Sequence, residues 1–572
     1  MFRRFPNATS VPGLRRHHRN RLTAFAGVTL GFAGLFTGNV SADPIGIVPT
    51  GIVDTDGDRA ESVDAILQRG RELESARMWG EAIEHYTDAT RKYPDDASVY
   101  QRLITCRLRV DVVRRMADTS YVTAVRQLST SQALDLYGEV LVNLQTHHVD
   151  DMDWSRVMIF GTAALETALT DDDFTSRMIP GTPAETVDDF HRNIYRRVAD
   201  RNTDTRFDLR AAVAQVAEMA GRELAIRPAA VVMEYVAGAM STLDPYTQLL
   251  SPQELDSMFS DIEGNFVGLG VELKTAGDEL QILSVIPGGP AEEAGLRAGQ
   301  YITAVDGIAG SDAGAERIAD LLRGPEFSTV RLMVRDGESA DAMVCSRRRV
   351  EVPCVENAHI VDPTTGVAYM RVTHFQKSTA DDVQRRLWEL HRDGMRSLVI
   401  DLRGNPGGLL SAAVEMADRF LSDGRIVTTR GRNTRENFEY VAHQPGTWSV
   451  PVAVLIDGDS ASASEIFAGA IADNRRGAIV GETSYGKGSV QGIFRMRAAP
   501  FGLKLTTAKF YSPTDRAISL NGVEPTVRVS TPYVAARPTE DGRIATDRDD
   551  AVLTAAVREL SRSVAGRPRL DR

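Results

Sequence analysis

Residues 458–491 read GDSASASEIFAGAIADNRRGAIVGETSYGKGSVQ, and the parsing of this stretch decides the fold. Ser460, Ser462 and Ser464 alternate ahead of Ile466, Phe467, Ala470 and Ile471, apolar residues at helical spacing. Ser462 followed three residues later by Glu465 is a capping-box pattern, which alone predicts a helix start and nothing more. The apolar run PVAVLIDG before it and AIVGET after it extend the reading to strand, helix, strand. Further upstream, GVAYMRVTHF, TADDVQRRLWELHRDG, SLVIDLRG and SAAVEMADRFL repeat the alternation from about residue 355. Such a pattern predicts a layered α/β core.

The second half of the stretch, GETSYGKGSVQG, carries Lys487. Gly481 and Gly486-Lys487 have the spacing of a Walker A loop, but Gly488 stands where a hydroxyl must reach magnesium. A β-like SVQGIF also follows where a phosphate-binding helix is required. A different chemistry suits a lysine between glycines. A serine hydroxyl is a poor nucleophile until a positioned base takes its proton, and a lysine serves when burial keeps its amine neutral. Ser462 and Lys487 therefore read as a Ser/Lys dyad, a variant of the serine triad. There is no G-x-S-x-G elbow, and His374, His391 and His443 sit in no recognisable motif.

Residues 262–350 change texture to short β-rich runs punctuated by glycine, including FVGLGVELK and AGLRAGQYITAVDG. This segment resembles a PDZ domain. Gly268, Leu269, Gly270 and Val271 fall at its carboxylate-binding loop, where successive backbone N–H groups receive a peptide C-terminus and the following strand pairs with the peptide.

The whole stretch 458–491 closely resembles the active-site segment of the carboxyl-terminal processing (tail-specific) proteases, serine peptidases with an embedded PDZ domain. STLDPYTQLLSPQEL upstream and LKLTTAKFYSPTDRAISLNGVEPTVRV downstream resemble the segments that enter the PDZ domain and close the core in that family. The resemblance covers about residues 235 to 530. It implies Ser462 as nucleophile, Lys487 as general base, Gln491 as the residue orienting the lysine, and the backbone N–H groups of Ala463 and Gly408 as oxyanion donors. It implies no cofactor and no metal. Thr526 stands where the family often has an acidic residue after its G-x-x-P.

The N-terminal third lies outside the resemblance. Its MWGEAIEHYTDATRKYPDD places Trp79, Gly80, Ala82, Tyr86, Ala89, Tyr93 and Pro94 as in one tetratricopeptide helix pair, although a single repeat reads equally as a generic helical hairpin. At the very start, six arginines precede LTAFAGVTLGFAGLF and then TGNVSAD, the layout of an export signal cleaved after Ala42; the long basic lead also suits an uncleaved anchor. Removing those six arginines takes the formal charge from -12 to -18, and an acidic chain argues against nucleic acid as a partner. Cys106, Cys345 and Cys354 are too few for a disulfide framework, though a Cys345–Cys354 bridge stays open, and no CxxC or HExxH occurs.

The expectation is a multidomain α+β protein: residues 1–42 a signal peptide or anchor, 60–175 a helical TPR-like region, 176–260 a helical lead into the core, 262–350 a PDZ domain, 351–535 an α/β protease core, and 536–572 a helical tail. The function expected is an exported, periplasmic or envelope-located serine endopeptidase acting on proteins with exposed C-termini. The helical region would serve an adaptor or self-association. The rival is a non-catalytic scaffold binding envelope proteins through the PDZ groove; the intact Ser462, Lys487 and Gln491 set argues against it.

Overall fold

The computed structural model describes residues 28–29, 62–94, 96–199, 201–443, 447–530 and 550–565. The expected export segment, residues 1–42, lies outside them except for Val28–Thr29, a short strand paired antiparallel with Gly408–Leu409. Among the described residues no helix is long and apolar enough to cross a membrane.

The centre is a six-stranded sheet in the order Val355–Asp362, Val367–Val372, Ser397–Asp401, Val452–Ile456, Gly477–Gly481, Val527–Arg528. All pairs after the first are parallel. Ser397–Asp401 and Val452–Ile456 are buried at every position, as expected of parallel strands covered on both faces. Alternation of side chains across each strand explains the two covers. Ala368, Met370, Leu398, Ile400, Val452 and Val454 face the helices Thr379–Arg392, Leu410–Asp418 and Ala463–Asp473. Val367, Tyr369, Val399, Ala453, Leu455 and Val480 face Val552, Leu553, Ala556 and Leu560 of the helix Ala551–Ala565. Arg403 fixes that returning helix by pairing with both Asp401 and Asp550 at 2.6 Å.

A second sheet carries Phe438–Val441, Arg425–Arg430, Gly502–Tyr511 and Ser489–Arg495 in that order, with Gln248–Leu250 also pairing with Gly502–Tyr511. Leu503 and Leu505 of this sheet, and Phe501 just before it, belong to the same core as the N-terminal helices. The helix Pro228–Ser241 runs through that core, buried from Ala229 to Met240, the all-round apolar pattern of an interior helix. Its Glu234 forms a bidentate pair with Arg115 at 2.7 and 2.8 Å, which supplies a partner for each buried charge. Gly238 lets it approach the helix Trp154–Leu169, since a Cβ there would lie 2.4 Å from the Gly161 Cα. The helical third is therefore continuous with this second sheet rather than appended to it. The stretch read as a TPR-like helix pair instead forms a single helix, Trp79–Lys92, because its apolar residues continue one helical face to the Tyr93 cap; it packs on the preceding helix Val63–Ser75, with Tyr86 seated where a Gly70 side chain would be.

Residues 271–346 form a separate six-stranded sheet with its own apolar core around Ile282, Ile302, Ile318 and Val330. A two-stranded ribbon, Asn265–Gly268 with Arg348–Glu351, carries the chain into and out of it. The three cysteines are free and buried, so the Cys345–Cys354 bridge left open by the sequence is not formed.

Candidate active site

Ser462 follows the parallel strand Val452–Ile456 and opens the helix Ala463–Asp473, the carboxyl end of a central strand being where open α/β sheets place their sites. Its backbone is in a region that side-chain-bearing residues rarely adopt, with φ 56° and ψ -109°. A strained serine on a sharp strand-to-helix turn is the device that presents a nucleophile in α/β hydrolases. The flanking serines hold the turn: Ser460 Oγ donates to the Leu402 carbonyl at 2.8 Å and Ser464 Oγ to the Asn405 carbonyl at 2.9 Å. Ser462 and Glu465 stand in capping-box arrangement, but the serine oxygen makes no full hydrogen bond in it. Glu465 Oε2 accepts from the Ser462 N–H at 2.7 Å, but Ser462 Oγ is buried and has no hydrogen-bond partner. The hydroxyl expected to cap the helix is left available.

The DLRGNPGG turn lies against this serine. Asn405 organises it: its side chain donates to the Val372 carbonyl at 2.8 Å and accepts from the Gly407 N–H at 2.9 Å, and its carbonyl accepts from Ala461 N–H at 3.0 Å. Gly407 has φ +107°, and a Cβ on it would lie 2.8 Å from the Ser462 Cβ and 3.0 Å from the Ala463 nitrogen. Gly408, the second expected oxyanion donor, follows at φ +139°, where a Cβ would lie 2.1 Å from the Phe375 carbonyl oxygen. The Gly407 backbone thus borders Ser462 and Ala463, with Gly408 next to it in the chain.

Lys487 sits on a loop shaped by Gly486, at φ +89°, and Gly488, whose Cβ would meet the Ser519 nitrogen at 2.3 Å. The lysine is 6% exposed. Burial and the neighbouring Lys504 ammonium pull its pKa down to about 7, against the opposing carboxylates of Glu465 and Asp244. Its Nζ lies 4.6 Å from the centroid of the Tyr246 ring. Glu465, fully buried, binds this loop to the serine. Its Oε1 accepts from Ser484 Oγ at 2.6 Å and Gly486 N–H at 2.7 Å, and its Oε2 accepts from Lys487 N–H at 2.9 Å in addition to Ser462 N–H. Gln491, on the strand after the loop, donates through Nε2 to Ser489 Oγ at 2.8 Å and to Thr506 Oγ1 at 3.3 Å, while its buried Oε1 has no partner. An acceptor of this kind suits an ammonium donor.

Sequence reasoning placed Ser462, Lys487, Gln491, Gly408 and Ala463; it saw Glu465 only as a helix cap and did not single out Gly407, Asn405, Asp244 or Tyr246. Asn405 and Gly407 stand in the DLRGNPGG turn, and Asp244 and Tyr246 in STLDPYTQLL, so the glycine-rich and family-like texture of those segments was the signal that could have found them. Thr526, the departure from the family pattern, ties its strand to the neighbouring one. Its Oγ1 accepts from Ile479 N–H at 2.9 Å and donates to the Ile479 carbonyl at 3.0 Å.

At the loop expected to receive a peptide carboxylate, Gly268 ends the ribbon strand, Leu269 is buried with its carbonyl accepting from Ala291 N–H at 2.8 Å, and Gly270 has φ +80°. Val271 begins the strand Val271–Ala276 at the edge of the six-stranded sheet. Among the described residues no group of three or more His, Cys, Asp or Glu side chains is placed to hold a metal ion.

Residues 366–529 match the family described as Peptidase family S41, and residues 281–336 match the PDZ domain family. The Carboxy-terminal-processing protease of Bartonella bacilliformis is 35% identical over 309 residues, covering 52% of this chain and 69% of that protein. The Carboxyl-terminal-processing protease of Picosynechococcus sp. is 34% identical over 286 residues, covering 49% and 69%. The solved photosystem II D1 C-terminal processing protease aligns over 70% of this chain and 93% of its own with 25% identity and a TM-score of 0.36. The chain belongs to peptidase family S41, among the carboxy-terminal-processing proteases, and is a peptidase that acts on proteins.

Proposed function

We propose that the chain is a serine endopeptidase in which Ser462 is the nucleophile and Lys487 the general base. The observation that carries this reading is the buried Lys487, poised near pH 7 and tied through Glu465 to a strained serine whose hydroxyl has no other partner. A neutral amine takes the Ser462 Oγ proton as Oγ attacks the scissile carbonyl. The oxyanion accepts from the N–H groups of Ala463 and Gly408, reinforced by the positive end of the helix that Ser462 opens. The Lys487 ammonium then gives its proton to the leaving amine, and water, deprotonated by the same lysine, releases the acyl group from Ser462. Gln491 Oε1 accepts from Nζ and aims it. Substrates enter by their C-terminal tails, held at Gly268–Val271 and paired along the edge strand Val271–Ala276. Residues 1–42 direct export, by cleavage or as an anchor, and the helical region offers a surface for an adaptor or a second copy.

The test is cleavage of an unfolded protein with an apolar C-terminal tail by the chain from residue 43 onward. Loss of cleavage in both Ser462→Ala and Lys487→Ala, with folding retained, is the expected result; activity equal to wild type in either variant removes the dyad.

A further inference from the structure

Behind Gln491 runs a polar chain that the dyad reading does not use. Thr506, opposite Gln491 in the register of the two strands, accepts Gln491 Nε2 on its Oγ1 and donates the same hydroxyl to Asp244 Oδ1 at 2.8 Å. Asp244 is capped from its own loop by Tyr246 N–H at 3.0 Å and Thr247 Oγ1 at 2.8 Å, and His148 Nε2 lies 3.5 Å from its Oδ2. Thr247 Oγ1 in turn accepts from the Thr506 N–H at 3.1 Å. His148 is 3% exposed and follows the helix Thr130–His147 of the helical region. The next residue, Val149, donates its N–H to the Thr506 carbonyl at 3.0 Å. Arg432, from the connection between Arg425–Arg430 and Phe438–Val441, clamps the same segment by donating to the His148 carbonyl at 3.1 Å and the Gln145 carbonyl at 2.6 Å.

We propose that Asp244 is a positioning residue: with Thr506 and His148 it forms a relay by which the end of the helical region fixes the rotamer of Gln491, and through Gln491 the aim of Lys487. The geometry gives the reason. The Thr506 hydroxyl has one proton, and Asp244 takes it. The Thr506 oxygen is therefore an obligate acceptor toward Gln491, which forces the amide Nε2 toward Thr506 and leaves Oε1 on the side where it has no partner. Without Asp244 the threonine proton is free to rotate toward Gln491, and the amide loses its orientation. The helical third thereby becomes a part of the site. A displacement of the Leu144–Val149 segment, by a partner bound to the helices, would be felt at Gln491 through the Thr506 carbonyl and hydroxyl.

This inference rests on the dyad reading, so the experiment includes both. In the tail-cleavage assay, wild type, Ser462→Ala, Thr506→Val, Thr506→Ser and Asp244→Asn are compared for kcat, KM and pH profile. Thr506→Val keeps the shape but removes the hydroxyl; kcat is expected to fall about tenfold to a hundredfold with KM little changed, the size of effect that a misaimed catalytic group produces. Thr506→Ser restores the hydroxyl and is expected to return kcat to within about threefold of wild type. Asp244→Asn is expected to lower kcat and also to move the midpoint of the pH profile downward, because one of the two carboxylates opposing the depression of Lys487 is gone. The groups facing Lys487 are Lys504, Glu465, Asp244 and Tyr246, and of these variants only Asp244→Asn alters one of them. A Thr506→Val enzyme with wild-type kcat overturns the relay while Ser462→Ala stays inactive. An active Ser462→Ala overturns the dyad itself.

Discussion

Ser462 and Lys487, proposed nucleophile and base, donate their backbone N–H groups to the same oxygen, Glu465 Oε2, at 2.7 and 2.9 Å. Two separate loops are thus indexed to one buried carboxylate. Burial pushes the Glu465 carboxyl up, while bonds from Ser484 and from the Ser462, Gly486 and Lys487 N–H groups hold it down. The arrangement depends on both oxygens being acceptors. In Glu465→Gln one of them becomes an NH₂ facing two donors, so about 2–4 kcal/mol of local stability is expected to go, from bonds to a charged group and unsatisfied donors. Cleavage should fall about a hundredfold as the two loops lose their common reference. Thermal unfolding and kcat measured on the same preparation check both.

Activity should rise with pH through about 7, because Lys487 must be neutral to accept the serine proton and its pKa stands near that value. Lys504, 4% exposed on the adjoining strand, contributes to the depression by charge repulsion. Lys504→Met removes a like charge beside Lys487 and leaves the Asp244 carboxylate without its second lysine, and both changes favour the protonated base. The midpoint of kcat/KM should move above 7, and on the acid side the rate should drop about tenfold for each pH unit that the midpoint rises. A profile unmoved by the substitution would show that Lys504 does not tune the base.

The proposed dyad was legible in the sequence because its motifs are local: a serine before a helix, a lysine between glycines, and a glutamine four residues on. The layered core was legible for the same reason, since strand and helix periodicities are written into short windows. Glu465 was visible only as a cap, because its second role depends on Ser484, Gly486 and Lys487 arriving from the next loop. Asp244 and Tyr246 reach Lys487 only through the pairing of Gln248–Leu250 with Gly502–Tyr511, which no local pattern announces. Periodicity likewise says that Pro228–Ser241 is apolar on nearly every face, Glu234 apart, but not that Phe501 and Leu503 lie in the same core.

Gly407 tests the oxyanion side of the site. It tolerates no side chain: at φ +107° an alanine is strained, and its Cβ would lie 2.8 Å from both the Ser462 Cβ and the Ala461 carbonyl oxygen. Gly407→Ala should cost more than about 2 kcal/mol locally and displace the Gly408 N–H, lowering kcat while PDZ-bound tail peptide is retained at wild-type affinity. Peptide titration alongside steady-state kinetics separates the two effects. Loss of peptide affinity instead would place the damage in the fold at large.

The helix Ala551–Ala565 closes the second face of the central sheet, and its removal gives the last prediction. A chain ending before Asp550 loses the 2.6 Å pair to Arg403 and uncovers Val367, Tyr369, Val399, Ala453 and Leu455. Arg403 keeps Asp401, which Tyr369 also bonds at 2.8 Å, so the strand end bearing the DLRGNPGG turn stays charged and paired. The apolar loss is the larger effect, because each of the buried Val552, Leu553 and Leu560 side chains contributes about 1.5–3 kcal/mol. Asp550→Asn should therefore cost little, about 1 kcal/mol, while truncation should lower the unfolding temperature by many degrees and expose a sheet face prone to self-association. If the ion pair, rather than the apolar cover, holds the helix, thermal unfolding and light scattering will show Asp550→Asn losing as much as the truncation does.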